Sequence, residues 1–432
     1  MSDLLFARSQ MALSLGFHIV FAAIGIAMPL FMVVAEVLWL RTRDADYLAL
    51  TKAWARGTAV LFAVGAVSGT VLSFELGLLF PGFMEHAGAI IGMPFSLEGF
   101  AFFTEAIFLG LYLYGWKLLP PKLHVLSGIL VALSGLASAV FVTFVNAWMN
   151  APVGFRLEAG RFVDLEPMKA FTTPFALHEV LHMSVAAYSA TAFAVAAVHA
   201  FVLLKNPTST FHRKALTIAF VVAIPSALAQ PAIGHFAAQQ VAKYQPLKLA
   251  AMEGQYETEA HAPLRIGGMP NHDTRETKYA LELPGMLSWL SFSDVNATVT
   301  GLDDFPRADW PPALVHYAFQ LMVGLGSALV LLSLWALLRA LRKRPLADSR
   351  TFLLATLAAG PMGFLALEAG WTVTEVGRQP WVIYEVLRTA DAVTPMPGLA
   401  VPFFSFAAIY VFLAVAVVAI VWRQVRLSPG VR

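Results

Sequence analysis

Nine long apolar runs decide what this chain can be. They lie near residues 12–40, 54–80, 95–116, 125–149, 175–204, 214–235, 314–338, 352–377 and 400–422, and each approaches the roughly 20 residues that cross a bilayer as a helix. A soluble domain could not bury so many. Residues are 58% hydrophobic and 13% charged, with mean hydropathy +0.69, about half the usual charged share. The expected fold is all-α: a polytopic integral membrane protein of about nine transmembrane helices. Three parts follow: spans one to six over 1–235, a polar segment over 236–312, and spans seven to nine over 313–432. The N-terminus lacks a basic region and a small-residue cleavage site, so the first span reads as retained.

Orientation follows from Lys and Arg, which stay on the cytoplasmic side of short loops. With the N-terminus outside and the C-terminus cytoplasmic, 17 of the 29 Lys and Arg are inside: Arg41, Arg43, Lys52, Arg56, Lys117, Lys122, Lys205, Arg213, Lys214, Arg339, Arg342, Lys343, Arg344, Arg350, Arg423, Arg426 and Arg432. Half of the other 12 fall in the 236–312 segment, where charge hardly affects topology. A net charge of +2 gives no reason to expect nucleic acid, and the absence of cysteine excludes thiolate clusters and thioether-bound haem. A redox metal here must use His, Met, Glu or Asp.

Charged residues inside spans cost at least about 2.5–3.5 kcal/mol, so each asks for a reason. His18 is expected two turns into the first helix. Glu98 and Glu105 are seven residues apart on the third, which puts them on one face about 10 Å apart in depth. His178, Glu179 and His182 open the fifth, Met322 lies early in the seventh, and Glu375 ends the eighth. All but Glu105 then fall in the outer part of the membrane. A single His or Met at such a place is commonly packing; the shared depth favours ligation. His178-Glu179-Val180-Leu181-His182 also matches the H-E-x-x-H zinc-protease pattern, but no partner motif supplies a third ligand, and Glu98, Glu105 and Glu375 would go unexplained.

The blocks Gly377-Arg378-Gln379-Pro380-Trp381, Gly370-Trp371 with Glu375, Phe17-His18, Leu97-Glu98-Gly99 with Phe102-Phe103 and Glu105, Asn146 with Trp148-Met149, Gln245-Pro246-Leu247-Lys248-Leu249-Ala250-Ala251-Met252-Glu253, and Phe319-Gln320-Leu321-Met322 occur in this order. Over nearly its whole length the sequence resembles the haem-bearing subunit I of cytochrome bd-type quinol oxidases. The resemblance implies three haems: a low-spin haem b with His182 and Met322 as axial ligands, and two high-spin haems, one held by His18 with Glu98 opposite and one ligated by Glu375. Family members differ in which high-spin site holds haem d, and some carry only haem b. Trp371 and Arg378 become cofactor contacts, with Arg378 a partner for a haem propionate. The segment after the sixth helix resembles the short form of the family's quinol loop, with Lys248 and Glu253 at its quinol positions; without the flanking matches they would read as an exposed ion pair. Gln320 stands where some relatives have Arg, which removes a cation beside the low-spin haem.

The activity implied is respiratory. Quinol is oxidised on the outer side, O2 is reduced to water at the high-spin haems, and protons enter from the cytoplasm through Glu105 with Ser138 assisting. The enzyme would be electrogenic, sit in the bacterial plasma membrane among its lipids, and pair with a second, haem-free subunit; a small accessory subunit is a further candidate. Two other classes stay open: a membrane b-type cytochrome without oxygen chemistry, against which Glu98 and Glu375 argue, and the zinc protease.

Overall fold

The structure is a computed structural model that describes residues 2–428; Arg432, counted above among the inner cations, lies outside them. Among the described residues nine helical spans are long and apolar enough to cross a membrane: Asp3–Thr42, Ala45–Leu79, Pro81–Lys117, Pro121–Asn150, Ala176–Lys205, Thr210–Tyr244, Leu314–Leu341, Arg350–Val376 and Ala400–Arg426. All nine expected spans are there.

Their ends correct the expected boundaries. The first helix begins at Asp3, so His18 lies about four turns in, not two. The third begins at Pro81, which puts Glu98 near its middle, and the sixth runs on to Tyr244. Local chemistry sets these limits. Ser2 caps the first helix, and Arg43 ends it in the left-handed conformation. Pro81 and Pro121 occupy first helical positions, where the missing N–H costs nothing. The eighth span is two helices, Arg350–Ala359 and Met362–Val376, broken at Gly360–Pro361.

Spans pack as sequential antiparallel pairs, one with two, three with four, five with six and seven with eight. The fifth packs closely because it is rich in alanine: Ala187, Ala190, Ala192, Ala196, Ala197 and Ala200 are all buried. A Cβ added to Gly363 of the eighth span would sit 2.5 Å from the Cα of Ala190. The ninth span touches the first and second and leaves Val411, Phe412, Val415 and Val418 exposed.

The two ends of the bundle differ. Connections after spans one, three, five and seven are short. Those after four, six and eight carry hairpins: Arg156–Glu158 with Arg161–Val163, Leu264–Ile266 with Leu281–Leu283, Met269–Asn271 with Glu276–Lys278, and Trp381–Ile383 with Leu387–Arg388. They interlock. Arg388 pairs with Asp309 at 2.5 Å, and Leu79, Phe83, Trp148, Ile383 and Leu387 share one apolar cluster.

Candidate functional site

The segment between spans six and seven does not float free. Pro246–Glu253 forms an eight-residue helix ended by Gly254 in the left-handed conformation, and all of Leu247 to Glu253 is buried. Lys248 and Glu253 are each 3% exposed, so they are not the surface ion pair that their composition alone would suggest.

Lys248 joins a network that runs into the spans. Its Nζ donates to Asn150 Oδ1 at 2.6 Å and to the Thr374 carbonyl at 3.4 Å. Asn150 Nδ2 donates to Asn146 Oδ1 at 3.0 Å and to Glu179 Oε1 at 3.2 Å, and Gln245 Nε2 donates to the Asn150 carbonyl at 2.7 Å. Asn146 Nδ2 donates to Glu375 Oε1, whose other oxygen accepts from Arg378 Nη2 at 2.6 Å. Two cations and two carboxylates are thus joined across three spans and the loop, as buried charges require. Burial draws Lys248 below the usual lysine range; the Arg378 charge adds to this, and Glu179 and Glu375 oppose it. Burial lifts Glu253 to about 8, with Arg265 opposing.

The other residues fall in two places. On the first span His18 Nδ1 lies 3.0 Å from Ser68 Oγ. Ser68 has one hydrogen and lies within bonding distance of the Val64 and Gly65 carbonyls. Its hydroxyl donates to a carbonyl and accepts from His18 Nδ1–H, which leaves Nε2 as the lone-pair nitrogen. On the third span Glu98 Oε1 accepts from Ser138 Oγ at 3.0 Å, and a Cβ on Gly135 would come 3.0 Å from Glu105 Oε1. Both glutamates therefore face the fourth span, as their spacing predicts.

His182 lies beside Gly234 of the sixth span and Met322 beside Gly370 of the eighth, where an added Cβ would meet the sulfur at 3.0 Å. Spans five to eight close a ring of contacts, five with six, six with seven, seven with eight and eight with five. Trp371 packs at the edge of the cluster formed by Ile19, Ala187 and Leu367. Gln320 makes a clasp: its amide accepts from Gly267 N and donates to the Arg265 carbonyl, both at 2.9 Å. The residue that departs from the pattern thus ties the loop hairpin to the seventh span.

Comparison with known proteins gives one answer. Residues 6–429 match the family model for cytochrome bd terminal oxidase subunit I. A Bacillus subtilis (strain 168) protein, provisionally named cytochrome bd menaquinol oxidase subunit I, is 38% identical over 99% of this chain and 98% of its own length. The cytochrome bd ubiquinol oxidase subunit 1 of the same organism is 31% identical over 99% and 94%. In the solved bd oxidase of Geobacillus thermodenitrificans, a chain 38% identical superposes with a TM-score of 0.93 over 99% of both chains. The chain belongs to the cytochrome bd oxidase subunit I family. It is a multi-pass membrane subunit of a respiratory terminal oxidase, which sets aside a cytochrome without oxygen chemistry.

A cytochrome bd subunit I implies haem, and the buried polar atoms fit that cofactor. Arg378 is 2% exposed, yet its Nε and Nη1 have no partner, and neither does His182 Nδ1. Buried guanidinium donors without an acceptor suit the carboxylate arm of a porphyrin. The zinc reading fails on geometry. His178 packs edge-on against Phe175 and Phe236, Glu179 bonds to Asn150, and among the described residues no three His, Cys, Asp or Glu gather to hold a metal ion.

Sequence reasoning missed Asn150, the hub of the network, and took Glu179 only as part of a protease pattern. For Asn150 a signal existed: Asn146 and Asn150 are one turn apart at the end of the fourth span, on one face.

Proposed function

We propose that this chain oxidises quinol against the loop helix on the outer side of the bacterial plasma membrane and reduces O2 to water within the spans. The N-terminus is then outside, the C-terminus cytoplasmic, and the segment after the sixth span is the quinol-binding part. The observation that carries this reading is the unbroken hydrogen-bonded path from Lys248 through Asn150 and Asn146 to Glu375. It joins a loop position to a carboxylate at the end of the eighth span.

His182 and Met322 would hold a low-spin haem b, and His18 with Glu98 and Glu375 would hold the two high-spin haems, one a haem b and the other a haem d or a further haem b. Bound haem would supply the one-electron carriers and the iron for oxygen reduction. This chain's own groups do the rest. Lys248, fixed by Asn150, orients a quinol oxygen by hydrogen bonding. Glu253 takes up a quinol proton on its buried, unpaired Oε2 and releases it outside. Arg378 offsets anionic charge beside Glu375, and Trp371 would be a further contact of the cofactor. Glu105, with Ser138 and Glu98, carries protons from the cytoplasm. Protons leave on one side and are consumed from the other, so turnover is electrogenic through the placement of groups alone. A second, haem-free subunit would cover part of the exposed apolar flank of the third span at Phe100, Phe103 and Ile107, with a small accessory subunit as a further partner.

The test is a reduced-minus-oxidised optical spectrum of the purified complex, taken with its oxygen uptake on ubiquinol and on menaquinol. Haem bands and quinol-dependent uptake are expected, and Met322→Leu should abolish the low-spin b band. A haem-free protein, or one inert to oxygen with both quinols, would refute the reading.

A further inference from the structure

The C-terminal end of the seventh span carries charge that nothing in the chain answers. Arg339, Arg342, Lys343, Arg344 and Arg350 fall between residues 339 and 350, and the one acid in that stretch is Asp348. Arg213 already takes Asp348 at 2.7 Å. Elsewhere at this end of the bundle Lys214 is paired with Asp44 and Asp46. The side chains of Arg342 and Arg344 have no hydrogen-bond or ion-pair partner among the described residues.

The way the helix stops brings three of these cations together. Lys343 N donates to the Ala340 carbonyl and Arg344 N to the Arg339 carbonyl, both at 2.9 Å, with Lys343 in the left-handed conformation at φ 54. This double closure, followed by Pro345, turns the chain back on itself. It also satisfies those two carbonyls from the backbone, so the guanidinium groups are not needed to cap them. Arg339 is held in place: its Nη2 donates to the Pro345 carbonyl at 2.7 Å, and its guanidinium lies 5.9 Å from the Phe352 ring centre. Trp335 meets the same ring edge-on at 5.2 Å. Arg339 Nε is buried there without an acceptor. Trp335, Leu338, Arg339, Arg342 and Arg344 line one cleft of about 110 Å3.

The lining selects the ligand. Three guanidinium groups with no carboxylate among them exclude a cation and match the oxygens of a phosphate. A buried N–H with no partner asks for an acceptor. Leu331, Leu334 and Leu338, at i, i+3 and i+7, are all exposed on one flank of the same helix and lead away from the cleft along the span. A free phosphate would use the arginines alone; a phosphate carrying acyl chains uses the leucines as well. Tryptophan beside them is the residue that favours the boundary between lipid and water.

We propose that this cleft binds the phosphate of an anionic phospholipid, with its acyl chains along Leu331, Leu334 and Leu338. Arg342 and Arg344 hold the phosphate oxygens, and Arg339 supplies the third guanidinium. The lipid then fastens the end of the seventh span to the turn that leads into the eighth. That it comes from the cytoplasmic leaflet rests on the orientation proposed above; the cleft itself does not.

The test uses the whole oxidase complex, stripped of lipid in a neutral detergent. Native mass spectrometry counts bound lipid, and the melting temperature is followed as phosphatidylglycerol, phosphatidylcholine or inorganic phosphate is added. Phosphatidylglycerol should bind and raise the melting temperature. Arg342→Gln with Arg344→Gln should weaken that binding on the order of tenfold or more, and lysine at both positions, which keeps the charge but loses the forks, should recover part. Lys117→Gln with Lys122→Gln removes as much charge from another short loop and should change nothing. Wild-type binding in the arginine double variant, or an equal loss in the lysine one, overturns the proposal. So does phosphatidylcholine matching phosphatidylglycerol, or inorganic phosphate raising the melting temperature as far, which would make the occupant any lipid or a free anion. Arg342 and Arg344 are exposed, so the haem bands should stay intact; should the double variant fail to assemble, Arg344→Gln decides alone. Binding is read without turnover, so its failure is distinct from loss of oxygen uptake, and a wrong orientation shows only in which end of the chain an impermeant reagent reaches.

Discussion

Glu253 ends the loop helix with a carboxyl that burial lifts to about 8, against 4.5 for an ordinary glutamate. A raised acid favours its neutral form in the folded protein. Its contribution to stability is therefore complete below about 4.5 and is lost as pH rises toward 8. For function the sign is opposite, because only the ionised carboxylate can accept a proton from quinol. Oxygen uptake at saturating quinol should rise from about pH 7 to about pH 9, and Glu253→Gln should be slower and flat over that range. A variant that keeps the rise would move the acceptor elsewhere. Single residues were legible in the sequence where chemistry and place conflict. A glutamate or histidine within an apolar run draws attention, which is how His18, Glu98, Glu105 and Glu375 were found. Asn150 was not, since a neutral amide at the end of a span conflicts with nothing; only the fold shows it contacting Lys248, Glu179 and Gln245 together.

At the scale of helices, hydropathy counts the part of a span that needs lipid and not the part that projects beyond it. The first helix has 40 residues, about 60 Å, twice the hydrocarbon thickness. Its first turns carry buried polar side chains and are packed, with Gln10 bonded to Glu75 and Ser14 to Tyr410. An apolar window passes over such turns, which is why His18 appeared shallower than it is. Close contact between helices was also hidden, because glycine gives no hydropathic signal. Gly363 is a sharp case, with the Ala190 backbone where its side chain would go. Gly363→Val should push the eighth span off the fifth at a cost of about 1–3 kcal/mol. A lower melting temperature of the detergent-solubilised complex, with less haem retained, is the measurement; an unchanged melting temperature would mean that the two spans can part freely.

For the molecule as a whole, basic residues and loop size agree on a direction. Hairpins and the loop helix crowd one end, and the other has short turns tied by Lys214 to Asp44 and Asp46 and by Arg213 to Asp348. The chain has no cysteine, so single cysteines can report sidedness. In intact cells Thr274→Cys should react with an impermeant thiol reagent, and Ser209→Cys should react only after lysis; the reverse pattern would invert the orientation. Between the two ends, Gln320 fastens the hairpin to the seventh span two residues before Met322. An arginine there would depend on a counter-charge and weaken as salt is added. The amide clasp carries no charge for ions to screen, so loop and span stay joined at any ionic strength, while the surface pairs Arg265–Glu282 and Arg307–Asp273 around them loosen.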